Sequence, residues 1–299
     1  MERRRLGKTG MEVSVLGFGA SEIGYEHAPP ATVERLLGGA LDAGLNLIDT
    51  AACYADSEDL VGRAIGHRRG EVFLMTKCGH AGAEFNLPDW SPSLIVRSIE
   101  RSLKRLRTDY LDVVQLHSCD SATLRDGSVI AELQRARDRG LTRFIGYSGD
   151  SDDAIAAIRL EVFDTLQISI NIADQEALER VLPLARERDL GVIAKRPIAN
   201  AAWLGGRFGG DLYSLPYRRR LRKLAYGFLK SPPQEAVATA LRFTLTAPGV
   251  HTAIVGTKRP SRWEHNARLA ARGPLPDSEY EAIRARWRMV AAPDWTGQR

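Results

Sequence analysis

The sequence predicts a (β/α)₈ TIM barrel with an N-terminal β-hairpin and a C-terminal helical extension. Three observations carry this reading. Short apolar runs rich in β-branched residues recur along the chain, segments of helical periodicity separate them, and polar or ionisable residues stand where several runs end. Strands alternating with helices of roughly 10–15 residues imply βαβ units and parallel pairing. Eight such units close most naturally into a barrel. The 299 residues suit one α/β barrel of about 250 residues with additions, and the whole chain, 1–299, reads as a single domain.

The elements follow in order. Residues 4–7 and 12–15, around Lys8-Thr9-Gly10, read as a hairpin over the barrel floor. The barrel strands are expected at 15–18, 45–48, 72–75, 111–116, 143–147, 165–170, 191–194 and 252–255. Helices are expected at 32–43, 57–65, 92–106, 128–139, 152–159, 175–188 and 233–245. Ser91-Pro92 places a capping hydroxyl before a proline at the first helical position, where its missing N–H costs nothing. Gly44, Gly140 and Gly191 read as left-handed helix ends. The stretch 199–231, with Gly205-Gly206 and Gly209-Gly210, is longer than an ordinary barrel loop, and such loops are usually functional or partly disordered.

Composition excludes several classes. No apolar stretch approaches the roughly 20 residues needed to cross a bilayer, and no signal-peptide core follows Met1-Glu2-Arg3-Arg4-Arg5. Cys53, Cys78 and Cys119 form neither a disulfide framework nor a CxxC pair. A soluble, cytoplasmic protein is the expectation. The net charge is +5, with its densest basic cluster at Tyr217-Arg218-Arg219-Arg220-Leu221-Arg222-Lys223. That cluster reads as a solvated helix face or anion-facing loop rather than a nucleic-acid patch. Excess positive charge also suits a ligand rich in phosphate.

The strand ends are informative. The second run ends in Asp49, the third in Lys77, the fourth in His117 and the fifth in Ser148, while the last enters Gly256-Thr257. On a barrel these side chains converge on the C-terminal face, where catalytic groups lie. Any strand must end in something polar, but an acid, a lysine and a histidine on successive strands are harder to dismiss. HxH, HExxH and Cys/His clusters are absent, so no metal site is expected. Gly17-Phe18-Gly19 begins like a dinucleotide fingerprint but meets Glu22 at the third glycine position, and neither GxSxG nor a phosphate loop occurs. Proton transfer or cofactor chemistry remains.

At these residues, from about Arg4 to the last helices, the chain resembles the aldo-keto reductase superfamily. The most specific match is Asn46-Leu47-Ile48-Asp49-Thr50-Ala51-Ala52-Cys53-Tyr54, followed by Ser57-Glu58 and Gly62. The resemblance implies a catalytic tetrad of Asp49, Tyr54, Lys77 and His117, and reduction of an aldehyde or ketone with NADPH. A free tyrosine has a pKa of about 10, too high for efficient acid–base work near neutrality. An adjacent lysine ammonium is expected to lower it. Asp49 would hold Lys77, Tyr54 would protonate the carbonyl oxygen, and His117 would orient that oxygen.

The resemblance also implies a cofactor site for NADP(H). Ser148, Gln167 and Asn171 match positions at the nicotinamide carboxamide, and Gly19 and Ala20 lie where backbone approaches that end. Gly256, Thr257, Lys258, Arg262 and Asn266 fall in the segment that binds the adenosine 2′-phosphate and adenine, where a helix starting near Ser261 offers its positive end. The chain departs from the pattern twice. Gly149 stands where an Asn often follows Ser148. Lys195-Arg196-Pro197 replaces an aromatic-Ser-Pro run, so Arg196, pushed toward an extended backbone by Pro197, is the candidate to pack on the nicotinamide or its diphosphate. Tyr25, Phe85, Trp90 and Trp203 are candidate substrate-loop aromatics. Two other readings use the same residues: a regulatory or binding subunit on a retained barrel, and a dehydrogenase for sugar-like alcohols. The expected partner is a small carbonyl compound, without nucleic acid or membrane.

Overall fold

In the computed structural model, which describes residues 1–205 and 214–298, β1 (Arg3–Arg5) and β2 (Glu12–Ser14) pair antiparallel ahead of eight parallel strands. These are β3 (Leu16–Gly19), β4 (Leu47–Asp49), β5 (Phe73–Cys78), β6 (Leu111–His117), β7 (Thr142–Ser148), β8 (Thr165–Ser169), β9 (Gly191–Lys195) and β10 (Thr252–Val255). They pair in chain order, and β10 returns to β3 to close the barrel. The predicted strands lie within a few residues of these. The glycines at 206, 209 and 210 lie outside the described residues.

Helices α1 (Ser21–Tyr25), α2 (Pro30–Asp42), α3 (Ser57–Ile65), α4 (Pro92–Leu106), α5 (Ser121–Asp126), α6 (Ser128–Asp138) and α7 (Ser151–Arg159) connect the first strands. After β8 come α8 (Glu176–Arg180), α9 (Leu182–Glu187), α10 (Ser214–Leu224), α11 (Pro233–Thr246), α12 (Pro260–Ala270) and α13 (Asp277–Val290). Their apolar stripes explain the ring: α2 buries Val33, Leu36, Leu37, Ala40 and Leu41, the spacing of one helical face. No helix among the described residues is long and apolar enough to cross a membrane.

The barrel floor is apolar. Leu47, Met75, Val113, Ile193 and Ile254 point inward and pack on Leu6, Met11 and Val13 from the hairpin. The hairpin therefore seals the N-terminal end, as predicted. Gly7 there adopts φ 50, and a Cβ on it would lie 2.4 Å from the Asp189 carbonyl oxygen.

Local expectations needed correction. The predicted helix 175–188 is two helices, broken at Val181 (φ −109), because Pro183 starts the second turn without an N–H to continue the first. Ser91 sits at the N-cap of α4, but its hydroxyl donates to the Pro88 carbonyl (2.9 Å) instead of capping. Gly44 and Gly140 are left-handed as expected, whereas Asp189 (φ 48) takes that role before β9, leaving Gly191 as its first residue. The basic cluster forms the two-sided helix α10: Tyr217, Arg220 and Leu221 are buried, and Arg219 and Arg222 are exposed. Helices α1 and α5 are too short for their periodicity to stand out.

Candidate active site

Because strand side chains alternate, each strand carries its inward position from the apolar floor up to the mouth. Leu47 is followed two residues later by Asp49, Met75 by Lys77, and Val113 by Gln115 and then His117. The barrel axis thus changes from apolar to ionisable within two layers. Lys77 and Asp49 are both buried, with side-chain exposures of 0% and 2%, and their ion pair spans 2.6 Å. Lys77 Nζ also donates to the Thr50 carbonyl (2.8 Å). The second carboxylate oxygen of Asp49 accepts from Gln115 Nε2 (3.2 Å) and Gln167 Nε2 (2.9 Å). Burial opposes the ammonium charge of Lys77, but Asp49 and Tyr54 more than offset it, so its pKa is raised.

Tyr54 stands on the turn after β4 and is, as a whole residue, half-buried. The turn is tied to α1: Ser57 Oγ donates to the Ala20 carbonyl (2.8 Å), and a Cβ on Gly24 would lie 2.0 Å from the Tyr54 carbonyl oxygen. Only glycine permits that approach. Lys77 Nζ lies 4.9 Å from the centre of the Tyr54 ring. The expected lowering of the phenol pKa is not the net result. Burial raises it, and the pull of Lys77 offsets only part of that rise. The phenol is therefore protonated at neutral pH.

His117 faces Tyr54 edge-on, with ring centroids 5.7 Å apart. Burial, then the positive charges of Lys77, Lys195, His80 and Arg196, hold its pKa well below the usual value. Its imidazole is neutral, and Nδ1 lies 3.4 Å from Cys53 Sγ. Its carbonyl oxygen contacts His80 Nε2 (3.0 Å), while His80 Nδ1 contacts Asp89 (2.9 Å). Trp90 packs edge-on against His80 at 5.1 Å, and Tyr25 lies 5.6 Å from Tyr54. Those two predicted aromatics border the tetrad. Phe85 instead stacks with Arg97 and Arg101, and Trp203 packs among core side chains.

The predicted cofactor residues fall into three groups. Ser148 and Gln167 are buried beside the tetrad, where Ser148 Oγ donates to Gln167 Oε1 (3.2 Å). Asn171 is buried further along, its side-chain Oδ1 accepting from the Ala173 amide (2.8 Å). Gly19 and Gly256 bring backbone together: a Cβ on Gly256 would lie 2.9 Å from the Gly19 carbonyl oxygen. Ala20 donates its amide to the Asp49 carbonyl (2.8 Å).

At the third group, the N-terminal half of α12 borders a cleft of about 400 Å³ lined by Arg259, Ser261, Arg262, His265 and Arg268. Several cations around one cleft beside a helix N-terminus fit a phosphate ester. Thr257 Oγ1 accepts from the Arg259 amide (3.1 Å), Lys258 pairs with Glu26, and Asn266 is buried.

Arg196 departs from expectation. Its backbone is left-handed (φ 55) rather than extended. The tail after α13 returns across the barrel mouth: Gly297 N donates to Glu176 (2.9 Å), and the Gln298 carbonyl accepts from Arg196 Nη1 (2.6 Å). This tertiary contact outweighs the local bias that Pro197 imposes. Neighbouring Lys195 pairs with buried Asp150 at 2.9 Å.

Sequence reasoning passed over Gln115, Cys53, His80, Asp89 and Arg268. Gln115 was legible as the residue two before His117, on the same inward row. Arg262, His265 and Arg268 repeat every three residues, which places them on neighbouring turns of one helix. No local signal marks His80, which meets His117 only through tertiary folding, or Asp89, which meets His80.

Fold and site define an eight-stranded α/β barrel with a buried ion pair, a phenol and a neutral imidazole gathered at its C-terminal mouth. The family profile described as Aldo/keto reductase family matches residues 15–288, and the chain belongs to that family. It is similar to L-galactose dehydrogenase of Arabidopsis thaliana, with 28% identity over 89% of this chain and 87% of the relative. Among solved structures, the holo form of a Bacillus halodurans aldo-keto reductase superposes with a TM-score of 0.84 at 25% identity, covering 99% of both chains. A Klebsiella pneumoniae aldo-keto reductase in complex with NADPH matches with a TM-score of 0.75 at 25% identity, covering 98% of this chain and 96% of that one. The family is one of oxidoreductases.

Proposed function

We propose that this protein reduces an aldehyde or ketone to the alcohol with NADPH, Tyr54 giving the proton to the carbonyl oxygen. The observation that carries this reading is the phenol of Tyr54, protonated, between a buried Lys77–Asp49 pair and a neutral His117. When bound, the cofactor supplies the hydride accepted by the carbonyl carbon.

The chain's own groups do the rest. Donation leaves a phenolate on Tyr54, and the Lys77 ammonium favours that charge. Asp49 keeps Lys77 ionised and is itself held by Gln115 and Gln167. His117, being neutral, approaches the developing alkoxide as a hydrogen-bond donor without adding charge to a site that already holds Lys77. Arg259, Arg262, His265 and Arg268 would hold the 2′-phosphate end of NADP(H), with Thr257, Lys258 and Asn266 beside them. The bare backbone at Gly19, Ala20 and Gly256 would lie along the cofactor, and Ser148, Gln167 and Asn171 would meet its carboxamide end. A cofactor role for Arg196 requires the tail to release its guanidinium. The same residues serve alcohol oxidation in reverse.

Tyr54→Phe tests the assignment. Removal of a general acid typically costs about 10²–10⁴-fold, so turnover of any accepted aldehyde should fall by that much while NADPH binding and thermal stability hold. Near-wild-type turnover in the variant overturns the role of Tyr54. A wild-type protein that oxidises NADPH with no member of a broad carbonyl panel favours a binding subunit instead.

A further inference from the structure

Cys53 belongs to no part of the mechanism above, yet it sits between two of its members. It precedes Tyr54 in the chain, and its Sγ lies 3.4 Å from His117 Nδ1, within reach of a sulfur hydrogen bond. The surroundings fix both partners. Tyr25 donates to the Cys53 carbonyl (3.2 Å), and the His117 carbonyl is held by His80. Residue 117 is also registered against Ser148 in the barrel.

A neutral imidazole has one N–H and one bare nitrogen, and the two choices are not equivalent here. With the proton on Nδ1, its donor faces sulfur, a weak acceptor, and Nε2 is left bare for a substrate oxygen that it could only repel. With the proton on Nε2, the thiol S–H donates to Nδ1 and the ring's remaining donor is available to that oxygen. Burial pushes the Cys53 thiol up and the His117 imidazole down, so the sulfur keeps its proton and stays a donor.

We propose that Cys53 is a positioning residue, its thiol holding His117 Nδ1 so that the ring carries its proton on Nε2. The inference rests on the carbonyl-reductase reading, in which His117 contacts the substrate oxygen, but its test does not depend on turnover alone. Long-range ¹H–¹⁵N NMR of the full chain reports each neutral histidine's tautomer, with His117 assigned by the signal lost in His117→Gln.

Wild type and Cys53→Ser, which retains a donor, should both show the Nε2–H form. Cys53→Ala should show mixed tautomers and a kcat lowered about two- to tenfold, the span of one ordinary hydrogen bond, with NADPH Kd unchanged. Serine should restore kcat. An Nδ1–H tautomer in wild type, or an unaltered Nε2–H form with wild-type kcat in Cys53→Ala, overturns the proposal. An Nε2–H form that Cys53→Ala disperses, in a wild type that reduces no carbonyl, supports the pairing and refutes the reductase reading separately.

Discussion

Replacing Lys77 by methionine keeps the length and apolar stem of the side chain and removes only its charge. Asp49 would then be a carboxylate exposed by 2% without its cation. Breaking a buried ion pair in this way costs about 3–5 kcal/mol. The lower end applies here, because Gln115 and Gln167 still donate to Asp49. For a chain of this size, 1 kcal/mol moves Tm by about 2 °C, so Lys77→Met should melt about 6 °C below wild type. Adding Asp49→Asn removes the stranded charge while keeping an acceptor for the two glutamines, and at least half the deficit should return. Thermal unfolding by circular dichroism gives all three values. Activity should be lost in both variants, which separates stability from chemistry. A Lys77→Met protein melting within about 1 °C of wild type would show that Asp49 carries no buried charge in need of a partner. A double variant melting no higher than Lys77→Met would show that the loss came from packing.

Cofactor preference follows from the cleft on α12. Arg262→Ala and Arg268→Ala should each weaken NADPH about tenfold, the loss expected for one exposed charge-assisted hydrogen bond, and leave NADH unaffected in fluorescence titration. Equal losses for both cofactors would place these arginines elsewhere than at the 2′-phosphate. The depressed imidazole of His117 makes a pH prediction with a definite sign. Its unfolded-state value is near 6.5 and its folded value lies lower, so the unfolded chain binds the extra proton between them. Its contribution is therefore intact above about pH 6.5 and is lost as pH falls toward the folded value. Urea unfolding from pH 7 to 5 should show a steeper decline for wild type than for His117→Gln, and parallel curves would contradict the buried neutral imidazole.

Much of the molecule was readable from the chain because its information is local and periodic. The strands from 45–48 to 252–255 stand out because inward and outward faces are both apolar, and α2, α3 and α4 because their buried stripes repeat every three to four residues. Asp49, Lys77 and His117 were visible because each stands at or one residue before a strand end, and a barrel brings strand ends to one face whatever its loops do. The split of α8 from α9 was present in Pro183 but was masked by continuous helical spacing on either side.

What the sequence by itself determined is the list of ionisable groups at the mouth and the architecture that gathers them. Only the tertiary structure decided their protonation and their partners. The Tyr54 phenol is pushed up rather than down because desolvation by neighbours remote in the chain exceeds the attraction of Lys77. Arg196 is turned to the tail because Gln298, 102 residues away, supplies a carbonyl that no local rule foresees. Cys53 and His80 reach His117 only through contacts between segments distant in the chain, and Asp89 in turn reaches His80. Desolvation and long-range hydrogen bonding depend on distances through space, and those exist only once the barrel has closed.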